Sequence, residues 1–310
     1  MQIGFVGLGA MGLPMSRRLV EAGHTVKVAS RSRPPVETAL SFGAFDARDS
    51  AGAAEASEVV ILCVPSSSDV AGIVDSMLGA LGPGKIVVDC STIDPDVERA
   101  QHEKVASTGA AYLDAPVSGG PPGARSGTLT VMVGGDSGTL EAAAEPLTAF
   151  AGRIVHVGGP GMGQVVKLCN NMIFASQMAA TAEAAAMALR SGADPTKLHE
   201  VLVHSSADCT AVRTRFPVPG VVRDSPATKA WQPGFATDLM AKDLDLALSY
   251  GARAGVAMST TAGTRQLLTA TSRAGYGRED FSALAKVVFA LAGLPWAPTG
   301  GPPGAPGSAC

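Results

Sequence analysis

The chain has no excess of either charge, no paired-cysteine pattern and no long uninterrupted apolar run. Its 24 Lys and Arg against 27 Asp and Glu leave a formal net charge of −3, so no basic surface for nucleic acid or an anionic membrane is expected. The five cysteines, Cys63, Cys90, Cys169, Cys209 and Cys310, are odd in number, scattered and without zinc-ligand spacing. They read as reduced thiols, with no metal site among them. The Ala-rich stretch after Lys167 is interrupted by Asn170, Asn171, Ser176, Gln177 and Glu183, so no membrane span is expected. The opening residues Met1-Gln-Ile-Gly-Phe-Val-Gly7 carry no basic leader and pass directly into a strand-and-turn pattern, from which a cytosolic location is expected. None of His24, His102, His156, His199 and His204 lies in a motif with acid or serine partners, and structural or solvated roles are expected for them, with His204 alone placed to approach a pocket through Ser205 and Ser206.

What is present is alternation. The 310 residues suffice for two domains, each with its own core. In the first half short apolar runs at 2–6, 25–29, 59–63, 86–89, 111–114 and 130–133, with a last one at 154–157, alternate with amphipathic stretches. That pattern predicts an α/β fold, a Rossmann-type doubly wound parallel sheet. Gly158-Gly-Pro-Gly161 punctuates the chain, and everything beyond reads as helix, beginning with a long one over 163–191 that Gly192 ends. Further helices are expected near 195–204, 235–254, 259–274 and 279–292. The expected division is a dinucleotide-binding domain at 1–162, an all-α substrate and dimerisation domain at 163–296, and a tail at 297–310. Four prolines and four glycines among the fourteen tail residues cannot supply a packed core, so disorder is expected there.

Gly7-Leu8-Gly9-Ala10-Met11-Gly12 lies between a predicted strand and a predicted helix. In that setting the first glycine permits a tight turn, the second lets backbone approach a pyrophosphate, and the third allows helix and strand to pack closely. The second strand ends in Ser30-Arg31-Ser32, where an acid would bind the ribose 2′-hydroxyl of NAD. Arginine flanked by hydroxyls suits the 2′-phosphate of NADP; stacking of Arg31 on adenine, tolerant of NAD, reads as the alternative.

Lys167 is the most informative side chain. It sits in Gly161-Met-Gly-Gln-Val-Val-Lys167-Leu-Cys-Asn170-Asn171, at the head of a helical run that is otherwise mostly Ala, Val, Leu, Ile and Met. A charge on a buried element needs a reason. Helical periodicity puts Lys167, Asn170, Asn171 and Phe174 on one face, a proton carrier beside an orienting amide. Ser118-Gly119-Gly120 follows a strand and offers a hydroxyl and two unhindered amides, an anion turn suited to a carboxylate or, alone, a plain strand-to-loop turn.

With these residues in hand the chain resembles the β-hydroxyacid dehydrogenase family from residue 1 to about 293. The likeness runs through Gly7 to Met15, Asp89-Cys-Ser-Thr92-Ile-Asp-Pro95, Asp114-Ala-Pro-Val-Ser-Gly-Gly120, Gly127-Thr-Leu129, Gly161 to Asn171 and Phe235 to Leu244. Within the family, Pro217-Val-Pro-Gly-Val221 and Gly275-Tyr-Gly-Arg-Glu-Asp-Phe-Ser282 are most similar to its 3-hydroxyisobutyrate branch. The resemblance implies Lys167 as acid/base, Asn171 as its substrate-orienting companion, and Ser118, Gly119 and Gly120 as carboxylate binders, with Asn170 alongside. It also implies cofactor contacts from Val64, Pro65, Asp69, Thr92, Phe235 and Lys242. The expected partner is a small β-hydroxy acid, and the expected assembly a homodimer or homotetramer. Two departures stand out: Ser30-Arg31 where that branch often has Asp, and Thr210 where it tends to have Trp. Semialdehyde reductases of the same family, imine reductases, which usually lack the lysine, and a non-catalytic NADP-binding scaffold are the competing readings.

Overall fold

The computed structural model describes residues 1–232 and 234–295; the 297–310 tail expectation lies outside them. Two compact units are present. One comprises Met1–Asn171 with Asp245–Ala257, and the other Met172–Leu244 with the described residues from Met258 onward. The sequence boundary at 162/163 marks the start of the long helix, whereas the units divide later within it.

In the first unit strands and helices alternate as β1 (Gln2–Val6), α1 (Gly12–Glu21), β2 (Thr25–Ala29), α2 (Arg33–Ser41), β3 (Phe45–Asp46), α3 (Ser50–Glu55), β4 (Val59–Leu62) and α4 (Ser67–Met77). The chain continues through β5 (Ile86–Asp89), α5 (Pro95–Ala106), β6 (Ala111–Asp114), β7 (Val117–Ser118), α6 (Gly120–Ser126), β8 (Leu129–Gly134), α7 (Ser137–Thr148) and β9 (Ala151–Gly158). The strand order is β3-β2-β1-β4-β5-β6-β8-β7, with β9 also on β8. Strands β1 to β6 pair in parallel. The central β4 and β5 are buried throughout, as strands covered by helices on both faces must be. One apolar cluster on Ile3, Phe5, Val28, Ile61 and Val88 and a second on Val60, Leu62, Val87, Val70 and Tyr112 form the two sides of this sheet.

The sheet is parallel except at its far edge. β8 runs antiparallel to β6, meeting it at Asp114 and Gly134, and β7 is antiparallel to β8. After β6 the chain turns back through Ser118 and α6 instead of making the crossover that a parallel neighbour requires.

The second unit is helical. α8 (Met162–Arg190) runs from the first unit into it and is followed by α9 (Pro195–Val203), α10 (Thr210–Arg215), α11 (Thr237–Arg253), whose residues from Asp245 count with the first unit, α12 (Ser259–Thr271) and α13 (Leu284–Leu291). By length and hydropathy α8 could cross a bilayer. Here Ala175, Met178 and Ala182 instead join Met240, Leu244, Leu268, Phe281 and Leu284 in the unit's core. α12 passes after Thr271 into a π turn over Ser272–Tyr276, and the helical run expected to reach 274 breaks at Gly275, which turns left-handed at φ 95°.

Candidate active site

Parallel strands deliver their carboxyl ends to one edge of the sheet. The segments singled out from sequence follow those ends: residues 7–12 after β1, Ser30, Arg31 and Ser32 after β2, Val64 and Pro65 after β4, Thr92 after β5. Between β1 and β4 the strand order reverses direction, the crevice where doubly wound sheets bind nucleotides.

The fingerprint glycines are required by the protein itself at two of three positions. Gly7 has φ 100°, and a Cβ there would lie 2.3 Å from the Cys63 carbonyl oxygen; one on Gly12 would lie 1.9 Å from that of Gly7. At Gly9 a Cβ would meet no protein atom within 4 Å, so packing gives no reason for glycine there and close approach of a ligand does. Helix α1 has neither a side-chain cap nor an acid in its first turn, and its leading amides are suited to an anion. The cradle fits a dinucleotide pyrophosphate.

Arg31 and Arg33 differ in what holds them. Arg33 pairs with Asp46, and with Glu37 at 3.6 Å; the Asp46 carboxylate pushes the Arg33 guanidinium further up, and Arg33 in turn holds Asp46 below the usual aspartate range. Arg31 donates from Nη1 to Asp69 Oδ1 at 3.2 Å, with its side chain 81% exposed. Asp69 belongs to the first turn of α4, where Ser66 Oγ accepts from the Asp69 amide and donates to Asp69 Oδ2 at 2.6 Å. This reciprocal cap fixes the carboxylate that meets Arg31. Two residues implied as cofactor contacts are therefore in contact with each other.

Lys167 and Asn171 are buried, at 7% and 2% exposure. Asn170 Nδ2 donates to Asn171 Oδ1 at 2.9 Å, so the neighbouring amide, expected to bind substrate, sets the orientation of Asn171. Ser118 ends β7, paired with Thr130 of β8. Gly119 and Gly120 follow with φ 133° and 62°, a conformation that turns their amides out of the strand pattern. All these residues belong to the first unit, whereas Phe235 and Lys242 belong to the helical one. There the Phe235 amide donates to Asp280 Oδ2 at 3.1 Å, and Lys242 Nζ lies 3.0 Å from Asp243 Oδ1.

Two residues not singled out from sequence tie this region together. Asp114, buried at the end of β6, accepts from the amides of Gly161 and Gln164 at the start of α8. Gln164, 0% exposed, reaches the 91–93 loop with its side chain. The signal was an amide in an otherwise apolar first turn, three residues before Lys167.

Beneath the same loop lies a buried acidic cluster. Burial raises Asp89 to about 6 despite hydrogen bonds from Ser91. Glu98, fully buried on α5, is pushed well above the usual glutamate range first by desolvation, then by Asp89 and Asp114. Cys63, raised to about 12 by burial, is no ready thiolate nucleophile.

Residues 2–158 match the NAD binding domain of 6-phosphogluconate dehydrogenase, and residues 161–288 match the NAD-binding domain of NADP-dependent 3-hydroxyisobutyrate dehydrogenase. The NAD-dependent L-serine dehydrogenase of Pseudomonas aeruginosa is 40% identical over 291 residues, covering 92% of this chain and 97% of the relative. The chain belongs to the β-hydroxyacid dehydrogenase family. A 3-hydroxyisobutyrate dehydrogenase of Pseudomonas aeruginosa is 38% identical, with 92% of this chain and 97% of the relative covered. A solved structure of the Mycobacterium tuberculosis 3-hydroxyisobutyrate dehydrogenase with L-serine is similar at a TM-score of 0.87 and 39% identity, covering 92% and 98% of the two chains. The protein is thus an NAD(P)-dependent dehydrogenase acting on a small β-hydroxy acid, and the Rossmann-type unit followed by a helical one is the family's architecture.

Proposed function

We propose that the enzyme oxidises 3-hydroxyisobutyrate, with Lys167 as general acid/base and NADP(H) as preferred cofactor. The observation that carries this reading is the pairing of a buried lysine and a buried, pre-oriented amide one turn apart on α8. A bound nicotinamide supplies the hydride acceptor. The enzyme's own task is the proton: a hydride cannot leave the carbinol carbon unless the hydroxyl proton is taken up, and Lys167 Nζ takes it in oxidation and returns it in reduction. Asn171 hydrogen-bonds the substrate oxygen and fixes its distance to the amine. Ser118 and the Gly119 and Gly120 amides hold the carboxylate, selecting acids over simple alcohols.

L-serine shares the carboxylate and the β-hydroxyl, and it is the substrate in the name of one similar enzyme. A panel of 3-hydroxyisobutyrate, D-glycerate, L-serine and 3-hydroxypropionate with both cofactors decides, the highest kcat/KM being expected for 3-hydroxyisobutyrate with NADP. Lys167→Ala is expected to lower kcat by orders of magnitude with cofactor affinity near wild type. Retained turnover would remove Lys167 from the proton step. A homodimer or homotetramer is proposed on the apolar Ile173 and Met187 of α8, 55% and 71% exposed.

A further inference from the structure

Gln164 makes a two-point contact with backbone. Its Oε1 accepts from the Ile93 amide at 3.1 Å and its Nε2 donates to the Ser91 carbonyl at 3.0 Å. Thr92, the implied cofactor contact, is the residue between. Ser91 in turn accepts at Oγ from the Val64 amide at 2.9 Å, and its own amide donates to Asp89 Oδ1 at 2.8 Å. The 91–93 loop is therefore bonded directly to this glutamine, and the 64–65 loop is linked to it through Ser91.

That glutamine is on the first turn of α8, and the turn has no slack. The Gln164 amide donates to Asp114 Oδ2 at 3.1 Å and the Gly161 amide to Asp114 Oδ1 at 2.9 Å. A Cβ on Gly163 would lie 2.4 Å from the Met132 carbonyl oxygen and 2.7 Å from Asp114 Oδ2. The helix start is thus pinned to the sheet through its backbone and to the loops through one side chain, three residues before Lys167. Hydride and proton must leave neighbouring atoms of one substrate, so their acceptors have to be held in register.

We propose that Gln164 is a positioning residue that registers the 91–93 loop against the Lys167 helix. The proposal rests on the reading of Lys167 as the proton carrier. Only a neutral group offering a donor and an acceptor side by side satisfies Ser91 and Ile93 together. An ionised carboxylate offers acceptors alone, whereas a protonated one reproduces the amide pattern. The substitution Gln164→Glu therefore becomes a titratable version of the clamp, and burial raises the pKa of the introduced acid.

The test measures kcat across pH 5.5 to 9 for wild type, Gln164→Glu and Gln164→Met, with NADPH dissociation constants from nucleotide fluorescence and Tm for each. For Gln164→Glu the expected ratio of kcat to wild type is about 1:30 or lower at pH 8 and climbs toward one as the pH falls. Gln164→Met should show a similar loss at every pH, and NADPH affinity should change less than about threefold in both. A pH-independent ratio for Gln164→Glu would overturn the proposal, as would kcat, NADPH affinity and Tm falling together, since the glutamine would then be structural glue. Should Gln164→Glu fail to fold, the split between kcat and NADPH affinity in Gln164→Met decides. Turnover retained by Lys167→Ala overturns both readings; a flat ratio beside an inactive Lys167→Ala overturns the clamp alone.

Discussion

Arg31 has two possible anions in reach of its chemistry, and magnitudes decide between them. Its pair with Asp69 is exposed on the arginine side, and such pairs contribute about 0–1 kcal/mol. Hydrogen bonds between a guanidinium and a phosphate are worth about 1.5–3 kcal/mol, so a 2′-phosphate gains more than loss of the Asp69 contact costs. Arg31→Ala is therefore expected to weaken NADPH binding by about 10- to 100-fold and NADH binding by less than about threefold. Asp69→Asn removes the competing carboxylate and should shift the NADPH-to-NADH affinity ratio toward NADPH by about threefold. Titration calorimetry with both nucleotides checks the pair, and equal affinities in wild type would remove the NADP preference. Arg31 was legible from sequence because strand two ends there. Its tie to Asp69 was not, because 38 residues separate the two and only the parallel placement of β2 and β4 on either side of β1 brings their following loops to one edge.

Among the elements, α8 shows how a strong local pattern and its tertiary setting divide the information. Its extent was readable to within about a residue at each end, since Gly161 and Gly192 bracket a largely apolar run that contains no proline. The strands of the parallel core were equally readable, from β-branched runs bounded by turn residues. Strand direction is another matter: β8 has the same apolar pattern as its neighbours, and only the short return through α6 makes it antiparallel. The two-residue β3 and β7 are too short for any periodicity. The anchor of α8 was likewise hidden, because Asp114 lies 47 residues before Gly161. Replacing Asp114 by alanine leaves two buried amides without acceptors, at about 1–3 kcal/mol each. Asp114→Ala is expected to lower Tm by several degrees and kcat with it, while Asp114→Asn, retaining one acceptor, should lie between it and wild type. A wild-type Tm in Asp114→Ala would show that the helix start is held by its packing alone.

At the scale of the whole molecule the formal charge is nearly balanced, yet the sheet-containing unit has carboxyl groups under its central strands. Asp89 stands at about 6 rather than 3.8 because burial disfavours its charge, and Glu98 is shifted in the same direction for the same reason, with Asp89 and Asp114 adding repulsion. Hydrogen bonds to Tyr112 and Asp89 act on Glu98 in opposite directions, and burial outweighs both. A raised acid holds its proton in the folded state where the unfolded chain would release it. Its contribution to stability is therefore complete below about pH 4 and is lost as the pH climbs through the folded value, which for Asp89 means a decline across roughly pH 4 to 6, on the order of a few kcal/mol. Glu98, shifted in the same direction by burial, adds to the loss as its own proton leaves. Glu98→Gln supplies the neutral shape permanently, so it should raise Tm more at pH 8 than at pH 5, because burial favours the neutral acid and falling pH restores it. Calorimetric scans at the two pH values check this, and a Tm gain of equal size at both would mean that packing, not proton release, sets the difference.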